Sequence, residues 1–272
     1  MAHSERSETL RPRMELPAVL RQMKVARVEE LSPHMRRLVF VGPELLGQFP
    51  GGEQCPPLSS PNFDDHCKVF VVPSGQENFE RATPEYGRGA ALPECLRGRG
   101  RHYTIRRWDP QAGELTIDFL RHGGGLVSDW AFTASVDDVA YLGGPRATAA
   151  APRADWYVFA VDQTALPAVE RWLEELRGQV RAEVLVAVPH AEEKRALPVV
   201  GEAEAVDIRW IEVPAGGTAG EQMAAALQNW NPPCGLGYAW IAGEAGEMRA
   251  LREALERHLP AERVEVGRYW CR

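Results

Sequence analysis

Cysteine is scarce in this 272-residue chain. The five, Cys55, Cys67, Cys95, Cys234 and Cys271, are odd in number and scattered, with no Cys-x-x-Cys pair. That spacing argues against a disulfide framework, a zinc site or an iron-sulfur cluster built by the chain itself, so no metal ligands are assigned. Long apolar runs are also missing. No window approaches the roughly eighteen residues needed to cross a bilayer, which excludes membrane insertion. An excess of positive charge is absent too: 31 basic against 38 acidic side chains give −7, shared as −1 over residues 1–150 and −6 over 151–272. A nucleic-acid partner would need a basic face that this balance does not supply. Met1 to Arg13 has no apolar core of signal-peptide length, so residues 1–20 read as a disordered tail of a cytoplasmic protein.

What is present is enough apolar material for two cores, 44% of the chain, and two different rhythms. The first half alternates. Lys24 to Leu31 and Met35 to Val41 flank a Ser32-Pro33-His34 turn, Asp65 to Pro73 follows, and short strands at such spacing imply a small antiparallel barrel ending near Gly144. Ser74 to Leu96 shows no period and reads as a lid or a disordered connection. After an Ala/Pro-rich boundary at 149–153, the second half turns to continuous apolar runs: Trp156–Val161, Val184–Val188, Ile208–Val213 and Tyr238–Ala242. Between and after them lie helical patterns at 166–176 (Leu166, Val169, Trp172, Leu173, Leu176, ended by Gly178), 220–230 and 247–259. Such alternation of buried strand and helix is a doubly wound α/β sheet. The expected domains are therefore 21–148 and 154–272.

The most informative stretch is Arg101-His102-Tyr103-Thr104-Ile105-Arg106. As a strand it places Arg101, Tyr103 and Ile105 on one face and His102, Thr104 and Arg106 on the other. Two planar guanidinium forks and a hydroxyl beside an aromatic ring make a plausible grip for a diphosphate. A turn at Asp109-Pro110-Gln111-Ala112-Gly113 and a return strand Leu115–Phe119 complete an expected hairpin. His122-Gly123-Gly124-Gly125-Leu126-Val127-Ser128-Asp129-Trp130-Ala131 then opens a short helix with a glycine loop, where backbone amides can meet phosphate. Asp118 precedes His122 by four residues, but on a strand running into a loop that interval carries no metal-site meaning. In an open α/β sheet ligands bind beyond the carboxyl ends of strands, which selects Asp162-Gln163-Thr164-Ala165 and Gly243-Glu244. No Gly-x-Gly-x-x-Gly follows the first of those strands, so an ordinary high-affinity dinucleotide site is not expected. Each of these segments also has a reading that needs no ligand: Thr164 as a helix cap, Gly143–Thr148 as a Gly-Pro turn, Tyr269-Trp270 as a strand packed into the core.

Arg-x-Tyr-Thr-x-Arg resembles the flavin-binding signature of the ferredoxin-reductase-like superfamily, and the His122–Ala131 segment resembles that of the siderophore-interacting protein family. Asp162–Ala168 and the terminal Tyr269-Trp270 are similar to that family as well. Three departures stand out: Leu126-Val127 where the family has Pro-Ala, Ala147-Thr148 where it has Gly-Ser, and an end at Arg272 directly after Cys271. The resemblance implies an N-terminal antiparallel β-barrel that binds flavin and a C-terminal Rossmann-like α/β domain with a mostly parallel sheet. It implies an FAD-dependent ferric-siderophore reductase, drawing on NADH, NADPH or a ferredoxin-like donor and working as a monomer. The cofactor-binding residues it implies are Arg101, Tyr103, Thr104, Ile105, Arg106, Asp118, His122, Gly125, Val127, Ser128, Pro145, Arg146, Thr148 and Trp270. At the donor and substrate side it implies Asp162, Thr164, Ala165, Gly243 and Glu244, and the charge of Arg268 places it near the substrate mouth. A general flavin or quinone reductase and a siderophore-binding protein without flavin are the other readings.

Overall fold

Alternating strands in the first half and continuous apolar strands in the second build two sheets of opposite construction. The computed structural model describes residues 10–72, 92–176, 180–200 and 205–271. Residues 1–9 of the expected tail, most of the aperiodic stretch from Ser74, and Gly178 lie outside these.

The first half contains β1 (Met14–Glu15), β2 (Leu20–Ser32), β3 (Met35–Val41), β4 (His66–Phe70), β5 (Gly100–Thr104), β6 (Arg107–Asp109) and β7 (Glu114–Leu120). A short helix α1 (Leu126–Ala131), β8 (Val139–Gly143) and β9 (Ala147–Thr148) complete it. Seven of the strands form one antiparallel sheet in the order β5-β4-β8-β2-β3-β7-β6, and β1 pairs with β9 apart from it. The sheet rolls on itself: β5 and β7 are not ladder neighbours, yet the Tyr103 and Phe119 rings meet at 4.5 Å. Met23, Val25, Leu38, Phe40, Val69 and Ile117 fill the space inside.

The hairpin expected around Arg101 is divided differently. β5 pairs with β4, while the strand returning through the Asp109–Gly113 turn to β7 is β6. Asp109 Oδ1 accepts the Gln111 and Ala112 amides at 3.1 and 3.0 Å and Gly113 takes φ 66°, so the turn itself forms as its residues dictate. The chain leaves the β5 ladder after Thr104, so the alternation of faces does not reach Ile105 and Arg106, and both are buried.

The expected tail is also corrected from residue 10 onward. Arg11 is buried, its guanidinium bonded to Asp64 (2.6 Å), Glu265 (3.0 Å) and the Ala149 and Ala150 carbonyls, above the Phe63 ring. A charged side chain with that many partners holds its segment onto the body, whatever the polarity of the residues around it.

The second half has β10 (Trp156–Asp162), α2 (Leu166–Leu176), β11 (Arg181–Val188), β12 (Val206–Glu212), α3 (Ala219–Ala226), β13 (Gly237–Glu244), α4 (Met248–Leu255) and β14 (Val264–Trp270). All five strands are parallel, in the order β12-β11-β10-β13-β14. Helix α2 covers one face through Leu166, Val169, Trp172 and Leu173, and α3 and α4 cover the other. The α2 face also receives Phe63 and Tyr269 and is turned toward the barrel. Among the described residues no helix is long and apolar enough to cross a membrane.

Candidate functional site

The order of winding reverses between β10 and β13, which opens a crevice at their carboxyl ends. Asp162 closes β10, and Gly243-Glu244 close β13. Asp162 Oδ1 accepts the Thr164 amide at 2.9 Å and also the Thr164 hydroxyl, so Asp162, not Thr164, is the acceptor at the start of this helix. Its Oδ2 accepts the Trp270 indole N–H at 2.9 Å. Burial pushes the Asp162 carboxyl above the ordinary carboxylate range, against the bonds from Thr164 and Trp270. A β-carbon at Gly243 would lie 2.6 Å from Oδ2, so this packing requires glycine. Ala165 is wholly buried, and Glu244 takes the amides of Gly246 and Glu247 at 2.7 and 2.8 Å ahead of α4. Arg268 is exposed in register with Gly243.

At the barrel edge, Arg101 is exposed. Its Nη1 donates to the Gly98 and Gly100 carbonyls at 3.2 and 3.0 Å. Tyr103 is half-buried. Burial raises its hydroxyl pKa, and its ring packs against the core cluster that includes Val127 and Ala131 of α1. Ser128 is buried and stitches the glycine loop, donating to the Leu120 carbonyl at 2.9 Å and accepting the His122 amide at 3.3 Å. The His122 ring lies against Gly125, where any β-carbon would collide with it, while Gly123 and Gly124 face open space. Arg101, Tyr103, His122, Gly125 and Ser128 are thus gathered in one neighbourhood. Helix α1 is only six residues long, so the loop amides, more than any helix dipole, are what it offers to phosphate.

Several of the expected ligand residues have partners within the protein. Asp118 is buried in a two-pronged pair with Arg37, at 2.7 and 2.8 Å. Ile105 and Val127 belong to the barrel core, so an apolar residue at 127 serves packing. Arg106 donates Nη1 and Nη2 to Glu174 at 2.7 and 2.6 Å and Nε to Glu170 at 3.2 Å. Thr104 Oγ1 lies 3.2 Å from the Tyr269 hydroxyl. Pro145, Arg146 and Thr148 form a second neighbourhood. Arg146 is exposed, Pro145 is buried, and Thr148 accepts from Asn62 at 2.7 Å beside a cavity of about 440 Å³ lined by Arg11, Asp65, His66 and Tyr238. These pairings share one cause: a motif gives side-chain chemistry, but the partner is chosen by what the fold brings near.

Residues missed from sequence are Glu170, Arg171 and Glu174 on α2; Tyr269, singled out with Trp270, meets Thr104. A signal existed for Glu170. It lies four residues after Leu166 and three before Leu173, on the apolar stripe itself, where a charge needs a partner from another element.

The residues present fit FAD. An exposed arginine, open glycine-loop amides, a half-buried tyrosine ring and the partly exposed Trp270 supply cations, N–H donors and aromatic planes, the donor set of a phosphate-bearing aromatic cofactor.

A family model described as the siderophore-interacting FAD-binding domain matches residues 24–149, and one described as siderophore-interacting protein matches 154–272. The NADPH-dependent ferric-chelate reductase of Escherichia coli K12 is 28% identical over 254 residues, covering 92% of both chains. Ferric vibriobactin reductase ViuB of Vibrio cholerae serotype O1 is 28% identical over 258 residues, 93% of this chain and 89% of that one. The crystal structure of a siderophore utilization protein from T. fusca superposes with a TM-score of 0.78 at 32% identity, covering 96% of both chains.

Proposed function

Because this chain belongs to the siderophore-interacting protein family, we propose that it is an FAD-dependent reductase that converts siderophore-bound Fe(III) to Fe(II), with NAD(P)H as donor. The observation that carries the reading is the meeting of β5 with the C-terminal strand. The Thr104–Tyr269 contact of 3.2 Å brings the Arg101–Tyr103 edge to the strand whose next residue, Trp270, is held at the β10/β13 crevice by Asp162. A cofactor edge and a dinucleotide crevice are thereby served by one short segment.

Bound FAD would supply what side chains lack, the acceptance of one hydride and the release of its two electrons one at a time. Hard oxygen donors hold Fe(III) far more tightly than Fe(II), so a single electron loosens the chelate. In this reading Arg101, His122 and the loop amides bind phosphate, Tyr103 flanks the ring system, and Thr104 offers its hydroxyl. Ser128 fixes the loop. Asp162 orients Thr164 and Trp270, and Trp270 shields the crevice from water. Arg146 and Thr148 border the cofactor's far end, and Arg268 adds positive charge beside Gly243. The division into a barrel over 21–148 and an α/β domain over 154–272, joined at 149–153, belongs to the same proposal. It is supported by the change from antiparallel to parallel pairing between Thr148 and Trp156. A ferredoxin-like alternative donor, a monomeric state and a cytoplasmic site of action complete it.

The test is an absorption spectrum of the purified protein, repeated anaerobically after NADPH or NADH and then after a ferric siderophore with a ferrous-iron trap. Flavin bands that bleach with donor and recover as trapped Fe(II) accumulates are expected. Recovery only with quinone or free flavin would make it a general reductase. Colourless protein that takes up no added FAD would overturn the reductase reading.

A further inference from the structure

Three consecutive residues at the end of β5 cross to the second domain. Thr104 meets Tyr269, the Ile105 carbonyl accepts Arg171 Nη1 at 3.0 Å, and Arg106 reaches Glu170 and Glu174. Both carboxylates and Arg171 sit on α2, the helix that follows the Asp162–Ala165 loop. The Arg106 side chain is only 4% exposed, and all three of its nitrogens are engaged. Glu170 is buried among Arg106, Arg37 (3.6 Å) and Arg195.

We infer that Arg106, the second arginine of the Arg-x-Tyr-Thr-x-Arg pattern, is a positioning residue that docks α2 against the end of β5 and is not a ligand of the cofactor's phosphates. Electrostatics favour this assignment. A diphosphate at Arg106 would have to displace a two-pronged carboxylate and then sit beside Glu170, Glu174 and Asp118, all of which act on this guanidinium. Among the described residues no carboxylate is paired with Arg101, which is exposed. The pairing also has a geometric consequence. Tyr103 lies three residues before Arg106 and Asp162 four before Leu166, so a docked α2 fixes the distance between the aromatic edge and the crevice. Docking of this kind sets the approach of donor to acceptor without touching either.

The inference rests on the reductase reading for its meaning, but its test does not. The variants are Arg106→Leu, Glu174→Gln and Arg101→Ala. Glu174 is the gentler site, since its side chain is 34% exposed and glutamine keeps its shape. Amide hydrogen exchange on protein without cofactor reads the docking alone. Exchange at residues 104–106 and along α2 is expected to rise about tenfold in both Arg106→Leu and Glu174→Gln, the equivalent of one charge-assisted hydrogen bond. Flavin fluorescence titration then reads the cofactor. FAD affinity within about threefold of the parent is expected in those two variants, against a loss of at least about tenfold in Arg101→Ala. Unchanged exchange in Glu174→Gln would overturn the docking role, even if Arg106→Leu fails to fold. Tighter FAD binding in Glu174→Gln would also overturn it, because a released Arg106 would then be serving phosphate. A parent protein that binds no FAD would sink the reductase reading and leave the exchange result to decide the docking on its own.

Discussion

Asp162 shows how one carboxylate can hold two parts of a site. One oxygen takes both donors of Thr164 and the other takes the Trp270 indole, and Gly243 leaves the room for it. Replacing it with asparagine keeps the shape but leaves one acceptor oxygen for three N–H and O–H donors. Asp162→Asn and Gly243→Ala are therefore expected to converge, both releasing the indole. Acrylamide quenching attributable to Trp270, taken as the difference from a Trp270→Phe background, should rise, and KM for NADPH should increase about tenfold with FAD retained. Quenching that stays at the parent level in both variants would remove Asp162 from this role.

Helix α2 is the element on which the two halves meet. Its apolar stripe packs on the parallel sheet while Glu170, Arg171 and Glu174 reach the barrel. Buried pairs contribute little net stability when made, but removing one member leaves the other charged and unsolvated. Glu170→Ala is thus expected to cost about 3–5 kcal/mol in urea unfolding, because Arg106, Arg195 and Arg37 lose a shared partner. Glu170→Gln, which keeps one acceptor, should cost less. Equal stability of Glu170→Ala and the parent would show that Arg106 and Arg195 find water or other carboxylates. The same element explains what was legible. The spacing of Leu166, Val169, Trp172 and Leu173 predicts the helix and its buried face. The spacing says nothing of which barrel residues the intervening charges would meet. The strand Arg101–Thr104 was likewise readable from alternation, whereas its end at Thr104 depends on Ile105 entering the core and on Arg171 taking its carbonyl.

Across the whole molecule, ion pairs cross the seam between halves beside the packing of Phe63 on Phe159 and Trp240. Besides Arg106–Glu174, it includes Arg11 with Asp64 and Glu265, and Glu193 joined to Ser32, His34 and Gln163. Burial pushes the Glu174 and Glu193 carboxyls up, but their hydrogen bonds win and hold both below the ordinary value of 4.5. The unfolded chain then takes up protons at these groups before the folded one does. Their contribution to stability is complete above about pH 4.5 and is lost as pH falls through the depressed folded values. The thermal midpoint should accordingly drop on acidification below that point, less steeply in Glu174→Gln. A slope identical to the parent's would place the acid sensitivity elsewhere. Arg11→Ala should lower stability by about 2 kcal/mol at neutral pH, the loss of charge-assisted bonds to both halves, measurable by the same unfolding experiment.

By itself the sequence determined the two halves, since period-two alternation buries one face of a strand and continuous apolar runs bury two. It also determined the turn at Asp109–Gly113, the crevice residues at the ends of β10 and β13, and the chemical types gathered near Tyr103. Those are consequences of local chain geometry and side-chain chemistry. Only the tertiary structure decided which of two similar arginines is buried in ion pairs and which is exposed. Arg101 and Arg106 offer the same fork of donors, and the difference between them is the carboxylate-bearing helix that packs against one and not the other, a neighbour separated from it by more than sixty residues of chain.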